Sequence, residues 1–471
     1  MKRQIIAFLF ILLFFSPVIS SVRATGTGTA AESDQIWPDG PGVYAEAAIV
    51  MEASTGLILY EKNIHEDYYP ASITKILTAL IAIENSSLGE VVTFSRNAIF
   101  DVEADSSRIG IDVGEQLTMQ QCLYGILLES ANEVTYAVAE HIAGSVPAFA
   151  EMMNKRAKEL GCQDSNFVNP HGLPDDNHYT SAYDMALITR EAMKNETFRK
   201  IFGTRTYQIP PTNIQSEVRN LRNHHKFVLR QEYRYDDCIG GKTGYTSKAR
   251  YTLVSVAKRG DLELISVIMR VDSNDHQYAD SAKLLDFGFD NFSIYSIADL
   301  ESSQALTESP MFTRYNSLLS GSDSPIVTDE DGYLVLPNTA SFEDASKEVT
   351  FYSKADPAPS REVIGKISYT YDGKYVGGAD ILYDDTDKPE LIPNKAVKNN
   401  PADEPDEPSA PIQEEGGSLR PIIIGSIIGL FLLIIILYFV LVERPRLKRR
   451  NAYYRKRARR RRYDNDDFLD L

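Results

Sequence analysis

Residues 387–419 limit the size of the folded part of this chain more than any other stretch. They are rich in Glu, Asp and Asn and contain six prolines, at positions 389, 393, 401, 405, 408 and 411. Such a composition cannot build a core and predicts an extended linker whose like charges repel one another. Any globular structure therefore has to come from the residues before 387.

A long apolar run near the C-terminus predicts a transmembrane helix. Ile422–Val442 is apolar apart from one Ser and one Tyr, and it is long enough to cross a bilayer. Twelve Lys and Arg and no acidic residue follow between Arg444 and Arg462. Because basic residues beside a span stay on the cytoplasmic side, we expect residues 443–471 to form a cytoplasmic tail. Its place beside a membrane favours anionic lipid headgroups over nucleic acid as its partner.

The N-terminus predicts export. Residues 1–24 begin with basic residues, continue with the apolar run Ile5–Phe15 and offer small residues for cleavage, the layout of a secretory signal peptide. The run is only about half the ~20 residues that a membrane-spanning helix needs. Together with the C-terminal run, this predicts a single-pass protein of the cell membrane whose folded part lies outside the cell.

Charge and cysteine content exclude several classes of function. With 37 basic and 61 acidic residues before Ile422, the formal net charge there is −24, which argues against nucleic-acid binding by the exported part. Cys122, Cys162 and Cys238 are too few for a disulfide framework. We interpret them as mostly buried small residues, with one disulfide as an option. No residue spacing indicates a metal site, and we expect no cofactor.

Residues 40–292 alternate strand-like and helix-like segments, which predicts an α/β (α+β) sandwich with one antiparallel sheet flanked by helices. Hairpins are expected at its two ends, over Ala47–Glu61 and Leu253–Val271. The expected helices are Ser72–Glu84, Leu117–Leu128, Glu133–Ile142, a helix opened by the capping box Ser181–Asp184, and Ala282–Phe289.

Residues 295–386 show strand periodicity and predict a small all-β domain. The expected strands are Glu348–Tyr352, Val363–Tyr371 and Tyr375–Leu382, the last two joined by a tight turn around Asp372-Gly373. The predicted order along the chain is a signal peptide (1–24), an α/β domain (40–292), a β-sandwich (295–386), a disordered linker (387–419), a transmembrane helix (422–442) and a basic tail (443–471).

Three short motifs in a fixed order carry the candidate chemistry. They are Ser72-Ile73-Thr74-Lys75, Ser130-Ala131-Asn132 and Lys242-Thr243-Gly244. On a helix, the i, i+3 spacing puts Ser72 and Lys75 on one face, so the amine can act as a base once burial lowers its pKa. A second Ser-x-x-Lys match, Ser255–Lys258, lies in a predicted strand, where residues three apart face opposite sides.

The surroundings of these motifs indicate how each would act. Ser72 begins a helix, whose free N–H groups favour developing negative charge. Ser130 and Asn132 fall between two helical patterns and can project into a cleft, whereas Lys242-Thr243-Gly244, expected just before a strand, suits a carboxylate. Together they predict a serine acyl-transfer site without a catalytic histidine. The alternative is a helix cap at Ser72, a solvated Lys75 and an exposed turn at Lys242.

The motifs and their neighbours resemble the D-alanyl-D-alanine carboxypeptidases, which are low-molecular-weight penicillin-binding proteins of peptidase family S11. The resemblance covers about residues 40–385 and implies a serine β-lactamase/transpeptidase-like fold followed by the β-domain. It rests on four segments of the sequence: Pro70–Lys75, Leu127–Asn132, Asn169–Leu173 and Gly241–Thr246.

The resemblance also implies roles for the motif residues. Ser72 would be the nucleophile toward the bond between the two terminal D-alanines of a peptidoglycan pentapeptide, Lys75 the general base and Ser130 the proton relay. The backbone N–H groups of Ser72 and Tyr245 would hold the oxyanion. β-Lactam antibiotics would acylate Ser72 as substrate mimics. The residues implied to bind substrate are Asn132, Lys242, Thr243, Gly244 and Tyr245.

Several features differ from the usual pattern of that family. Ala131 replaces a Gly, Glu133 replaces an Asp, and a C-terminal span replaces an amphipathic surface helix. Many members also carry a carboxylate-binding Arg where this chain has residues 273–277, which include none; Arg270 or Arg250 is the expected substitute. His171 is expected to fix a loop rather than to catalyse, and Tyr69 to pack.

Two other functions remain open from the sequence. A β-lactamase would share the acylation machinery and would differ in hydrolysing the acyl-enzyme quickly. A non-catalytic scaffold that binds the cell wall would keep the fold and lose the site, and the intact motif residues argue against it.

Overall fold

A computed structural model describes residues 37–103, 105–230, 233–301, 326–352 and 363–383. The expected signal peptide, linker, transmembrane helix and tail lie outside these residues. Within them, no helix combines the length and the apolar character that crossing a bilayer requires.

The described residues contain both strands and helices in mixed order. The strands are β1 Ala47–Glu52, β2 Ile58–Lys62, β3 Val91–Thr93, β4 Gln116–Thr118, β5 Thr206–Ile209, β6 Arg219–Arg222, β7 Cys238–Thr246, β8 Arg250–Arg259, β9 Leu262–Val271, β10 Phe292–Ser296, β11 Ile326–Thr328, β12 Tyr333–Pro337, β13 Ser346–Phe351, β14 Val363–Tyr371 and β15 Lys374–Tyr383. The helices are α1 Lys75–Asn85, α2 Arg96–Phe100, α3 Met119–Leu128, α4 Asn132–Ala143, α5 Val146–Glu159, α6 Ala182–Met193, α7 Glu196–Phe202, α8 Lys226–Leu229, α9 Asn274–Asn291 and α10 Ile297–Leu300.

The central sheet is antiparallel and buried on both faces. Among the described strands its order is β2-β1-β9-β8-β7. Strand β1 shows how both faces are covered: Ile49 and Met51 join one apolar cluster, whereas Ala48 and Val50 join a second cluster on the other side. Side chains alternate between the faces of a strand, and every residue of β1 is buried, so the strand is covered on both faces. The predicted antiparallel sheet flanked by helices is thereby confirmed.

Helix α1 lies at the centre of the helical layer on one face of this sheet. It packs against α3, α4, α5, α6 and α7, and its residues from Lys75 to Ala82 are all buried. Helix α3, which precedes the second motif, begins at a capping box between Thr118 and Gln121 that satisfies its first N–H groups. Helix α9 covers the other face with Leu284 and Leu285. The start of α1 is thus held by the protein core.

The expected hairpins and several expected helices are present. Strands β1 and β2 form the first hairpin, and β8 and β9 form the other. One placement was wrong: Lys242-Thr243-Gly244 lie inside β7, at the edge of the sheet, and not before a strand. Glycines at 240, 241 and 244 weaken the β signal there, because glycine is rare in strand interiors.

A second antiparallel sheet follows the central sheet and its helices along the chain. Its described strands pair in the order β10-β12-β15-β14-β13, with β11 added beside β15. The expected turn between β14 and β15 has Asp372 and Gly373 at φ values of 50° and 73°, which a type I′ turn requires. Since residues 302–325 and 353–362 lie outside the described residues, the β-sandwich and the domain boundaries stay predictions.

Candidate active site

The nucleophile candidate stands where a short 3-10 turn, Ala71–Thr74, leads into α1. Ala71, immediately before it, has a φ of 52°, an unfavourable value for a residue with a β-carbon. The turn leaves Ser72 partly exposed and Lys75 fully buried. The Nζ of Lys75 lies 3.1 Å from the Oγ of Ser72.

Three oxygen atoms surround the amine of Lys75. Besides Ser72 Oγ, they are Oδ1 of Asn132 and the backbone oxygen of His171, each 2.6 Å from Nζ. Burial, and next the charge of Lys242, hold the pKa of Lys75 well below its usual value, and the opposing charge of Glu133 offsets this in part. A neutral amine has two N–H groups and one lone pair. The two oxygens that can only accept take the N–H groups, so the lone pair faces the Ser72 hydroxyl.

Ser130 and Asn132 sit in the break between α3 and α4. Ser130 has a φ of 60°, which turns the chain sharply, and Asn132 begins α4 with its N–H donated to the backbone oxygen of Ser107. Ala131 between them is fully buried, so its methyl group is accommodated in the core. This strained break directs both side chains toward Lys75 and Lys242.

Lys242 lies behind Ser130 and is shielded from solvent. Only 1% of its surface is exposed, and Nζ donates to Ser130 Oγ at 3.2 Å and to the backbone oxygen of Thr243 at 2.9 Å. Burial lowers the pKa of Lys242 to about 7. The amine of Lys242 therefore faces the Ser130 hydroxyl, where its protonated form would stabilise that oxygen if it gave up a proton.

Strand β7 passes directly beside the nucleophile. A β-carbon placed on Gly244 would stand 2.3 Å from Thr252 Oγ1 and 3.0 Å from the backbone nitrogen of Ser72. Only glycine permits such an approach. Thr252 also donates to the backbone oxygen of Pro70 at 2.9 Å, which ties the sheet to the start of the turn. The backbone beyond Gly244 thus runs next to the N–H of Ser72.

The motifs meet at an open cleft of about 600 Å³. The predicted site residues that line it are Ser72, Ser130, Asn132, Thr243, Gly244 and Tyr245. Lys75 and Lys242 lie behind this surface, fully buried. All eight predicted site residues are therefore brought together, although they span 174 positions of the chain from Ser72 to Tyr245, counted inclusively. The residues of the second Ser-x-x-Lys match do not join the site, since Ser255 is buried in β8 and Lys258 is exposed.

The loop of residues 169–173 contacts the amine of Lys75 and supports its position in the site. His171 contributes its backbone oxygen to Lys75, and its Nδ1 accepts from the N–H of Leu173 at 3.2 Å. Burial, followed by the charge of Lys75, lowers the pKa of His171 well below its usual value. The ring is neutral and fixes the loop, in agreement with the role expected from the sequence.

Two residues that support the nucleophile turn were missed. His178 Nε2 and Thr74 Oγ1 lie 3.0 Å apart, and His178 Nδ1 accepts from the N–H of Val168. Since Nδ1 accepts, Nε2 carries the proton and donates to Thr74. Burial lowers the pKa of His178 to about 4, so the ring stays neutral. No spacing in the sequence connects positions 74 and 178, and only the fold joins them.

The expected substitute arginines do not serve the cleft. Arg270 pairs with Glu46 on the surface at 3.0 Å, and Arg250 is exposed at the start of β8; neither lines the cleft. Tyr69 donates to Asp176 at 3.1 Å outside the catalytic contacts. Gln277 of α9 lies at the cleft surface instead.

The cysteines and other potential metal ligands lie apart from each other. Cys122, Cys162 and Cys238 carry free thiols, and burial raises the pKa of each, that of Cys238 to about 12. Among the described residues, no three His, Cys, Asp or Glu side chains form a group that could hold a metal ion.

This arrangement defines a class of protein, the serine acyl-transfer enzymes that use a lysine base. The sequence profile of the S11 peptidases, described as D-alanyl-D-alanine carboxypeptidase, matches residues 34–273. The chain is 31% identical over 374 residues to D-alanyl-D-alanine carboxypeptidase DacA of Haemophilus influenzae, covering 77% of this chain and 90% of that protein. This chain belongs to the S11 family of D-alanyl-D-alanine carboxypeptidases.

Other relatives agree with this assignment. D-alanyl-D-alanine carboxypeptidase DacF of Bacillus subtilis is 36% identical over 256 residues, which cover 54% of this chain and 64% of that protein, just under two thirds of its length. The crystal structure of penicillin-binding protein 5 from Haemophilus influenzae matches with a TM-score of 0.56 and 27% identity, over 73% of this chain and 98% of that one. The Streptomyces K15 DD-transpeptidase matches with a TM-score of 0.50 and 29% identity, over 54% and 100%.

Proposed function

We propose that this protein is a serine-type D-Ala-D-Ala carboxypeptidase that removes the terminal D-alanine from peptidoglycan pentapeptides and is acylated by penicillin. The observation that carries the proposal is the buried amine of Lys75, whose lone pair in the neutral form is left for the hydroxyl of Ser72, 3.1 Å away. Such an amine has a depressed pKa and is a competent general base near neutral pH. Family membership supplies the substrate class.

Acylation begins with proton transfer from Ser72 Oγ to Lys75 Nζ, while Oγ forms a bond to the carbonyl carbon of the penultimate residue. The N–H of Ser72 and that of Tyr245, the residue after Gly244, would hold the developing oxyanion. The C–N bond then breaks. Ser130, polarised by Lys242, delivers a proton to the departing amine, and that proton is replenished from Lys75.

Deacylation reverses these roles with water as the nucleophile. Water adds to the ester carbon, its proton passes to the neutral Lys75, and Ser72 recovers its hydroxyl as the C–O bond breaks. Asn132 and Thr243, both at the cleft surface, are placed to bind the substrate backbone. Each step uses only groups of this chain and water.

The location of the enzyme is part of the proposal. The signal-like residues 1–24 would export the chain, and Ile422–Val442 would anchor it by a single span with the basic tail in the cytoplasm. The acidic, proline-rich residues 387–419 would act as an extended spacer between membrane and enzyme. Fusion of a phosphatase reporter, active only outside the cytoplasm, after residue 386 or after residue 471 tests this; activity of the second fusion would contradict the topology.

The function is tested by mass spectrometry of D-alanine release from a muramyl pentapeptide. We expect release by the wild type and none by Ser72→Ala, with Ser255→Ala, which removes the serine of the other Ser-x-x-Lys match, as the control for non-specific loss. Incubation with penicillin separates the alternatives: a long-lived adduct on Ser72 supports the carboxypeptidase, whereas rapid turnover indicates a β-lactamase. Equal release by the wild type and Ser72→Ala would refute the assignment.

A further inference from the structure

Glu129 places a negative charge where the helix before it does not favour one. It is the C-cap of α3 and directly precedes Ser130 of the second motif. The free carbonyl groups at this end of a helix form the negative end of its dipole, which favours cations and disfavours a carboxylate. The carboxylate of Glu129 therefore has to be stabilised by groups outside α3.

Hydrogen bonds hold both carboxylate oxygens of Glu129. Oε1 accepts from the backbone N–H of Arg222 at 2.7 Å, and Oε2 lies 2.9 Å from Nε2 of His224. Because a carboxylate can only accept, Nε2 of His224 carries a proton. The backbone N–H of His224 also donates to the backbone oxygen of Leu128 at 3.2 Å. These contacts join residues 222–224 to the end of α3 and fix the orientation of the carboxylate.

These contacts also keep Glu129 ionised at neutral pH. Its side chain is 22% exposed, and burial by itself raises the pKa of the carboxyl group. The hydrogen bonds from His224 and from the backbone N–H of Arg222 outweigh burial, with help from the charges of both side chains, and hold the pKa below its usual value. Since His224 lines the cleft, the pair forms part of the wall beside Ser130.

Lys242 has a use for this negative charge. Its Nζ is buried and donates to Ser130 Oγ at 3.2 Å and to the backbone oxygen of Thr243 at 2.9 Å, and both of these groups are neutral. A buried cation with neutral contacts gains from a nearby negative charge. Burial lowers the pKa of Lys242 to about 7, and the charge of Glu129 opposes that fall.

The other titratable groups around Lys242 do not replace Glu129. Lys75 is itself an amine, and burial followed by the charge of Lys242 lowers its pKa. Burial, and next the charge of Lys242, lower the pKa of His225 to about 3, so that ring is neutral. Glu133 acts on Lys75, and burial raises its own pKa. Among the described groups, Glu129 is therefore the acid that acts on Lys242.

We infer that Glu129 is a positioning residue of this reaction, whose carboxylate keeps the amine of Lys242 protonated so that Lys242 can polarise the Ser130 hydroxyl. The inference deepens the proposed function and rests on it. Glu129 acts through Lys242 and Ser130 on the proton delivered to the leaving amine, and takes no proton from the substrate. His224 contributes by holding the carboxylate in its orientation.

The pH dependence of kcat/KM for D-alanine release by the full-length protein tests the inference. Glu129→Gln removes the charge and nearly keeps the shape. Because Lys242 acts as a cation, loss of its counter-charge should move the basic limb of the profile to lower pH by about one pH unit. The value should then be about fivefold below the wild type at pH 7 and within about twofold of it at pH 5.5. Glu129→Asp keeps the charge and should leave the limb near its wild-type position.

Glu90→Gln is the matched control, because Glu90 has the same two kinds of partner. Its Oε1 accepts from the backbone N–H of Ser87 at 2.8 Å, and its Oε2 lies 3.1 Å from Nε2 of His141. Glu90 is not among the described residues that line the cleft. Glu90→Gln therefore removes an equivalent charge away from the site, and we expect it to keep the wild-type profile.

Each outcome supports or overturns the inference. A basic limb at the same pH in the wild type and in folded Glu129→Gln would overturn it and leave the carboxypeptidase assignment intact. An equal loss of kcat/KM at every pH would also overturn it, because that result indicates a purely structural role. Glu129→Ala removes the charge without an amide that has to fit, and decides where Glu129→Gln does not fold. A wild type that releases no D-alanine at any pH would overturn the proposed function, and this inference with it.

Discussion

Gly172 presses against the first turn of the nucleophile segment, and Gly172→Ala is expected to damage both stability and acylation. Gly172 has a φ of +83°, and an added β-carbon would stand 1.9 Å from the backbone oxygen of Ala71 and 2.8 Å from Thr74 Oγ1. Contacts of that kind normally exceed about 3 Å, so one of the two segments has to move by roughly 1 Å. Either movement changes the distance from Lys75 to Ser72 or to the backbone oxygen of His171.

The size of the effect follows from two parts. A residue with a β-carbon in this backbone region costs about 1 kcal/mol, and overpacking adds about 1–3 kcal/mol. Gly144→Ala is the matched control, because Gly144 has a φ of +78° at the exposed end of α4 and no atom within 4 Å of its β-carbon position. Gly144→Ala therefore has the cost of a β-carbon in this backbone region but no steric clash. We expect Gly172→Ala to lower the free energy of unfolding by about 1–3 kcal/mol more than Gly144→Ala.

Urea unfolding and the rate of acylation by a fluorescent penicillin measure the two consequences. A shift of about 1 Å at the reacting groups lowers rates roughly 100-fold, so we expect a loss of that order in Gly172→Ala and a wild-type rate in Gly144→Ala. Equal destabilisation of the two variants together with an unchanged acylation rate in Gly172→Ala would show that the loop does not position the nucleophile.

Three further predictions concern the lysines and a buried ion pair. Asn132→Asp places a carboxylate beside Lys75 Nζ, raises the pKa of that amine and shifts the acidic limb of the acylation pH profile to higher pH, whereas Asn132→Leu lowers the rate without that shift. Lys242 has a pKa of about 7 and is proposed to act as a cation, so kcat/KM of the wild type should fall as the pH rises through 7. Lys242→Arg keeps its charge and should abolish that fall if it still binds Ser130. A wild-type profile that stays flat above pH 7 would contradict this role. Arg219→Leu strands the fully buried Glu115, 2.6 Å away, and should cost about 3 kcal/mol in urea unfolding; a loss under about 1 kcal/mol would contradict it.

The sequence predicted the central sheet and the nucleophile segment from local patterns. Apolar periodicity located α1, α3 and α4, and the interval of three between Ser72 and Lys75 indicated a shared face. The positive φ values of Ala71 and Ser130 could not be predicted, because neither residue type favours that region. They are maintained by the surrounding contacts, which only the complete fold supplies.

Other parts of the structure were missed for different reasons. No helix was predicted over α5, although Phe149, Met153 and Ala157 repeat at an interval of four and are buried on one face. That signal is present in the sequence. The contact between His178 and Thr74 and the position of Gln277 in the cleft depend on segments far apart in the chain, and no local pattern encodes them.

The pairing of β1 with β9 has a consequence for the newly made protein. Strand β1 (47–52) cannot pair with β9 until residues 262–271 have been made. In the same way, Ser72 cannot contact the edge strand until the residues around Gly244 are in place. Joining such distant segments is slow compared with forming local helices. A chain in which these distant segments have not yet joined would therefore carry an unreactive serine, and labelling by penicillin would report on completed folding and not on synthesis.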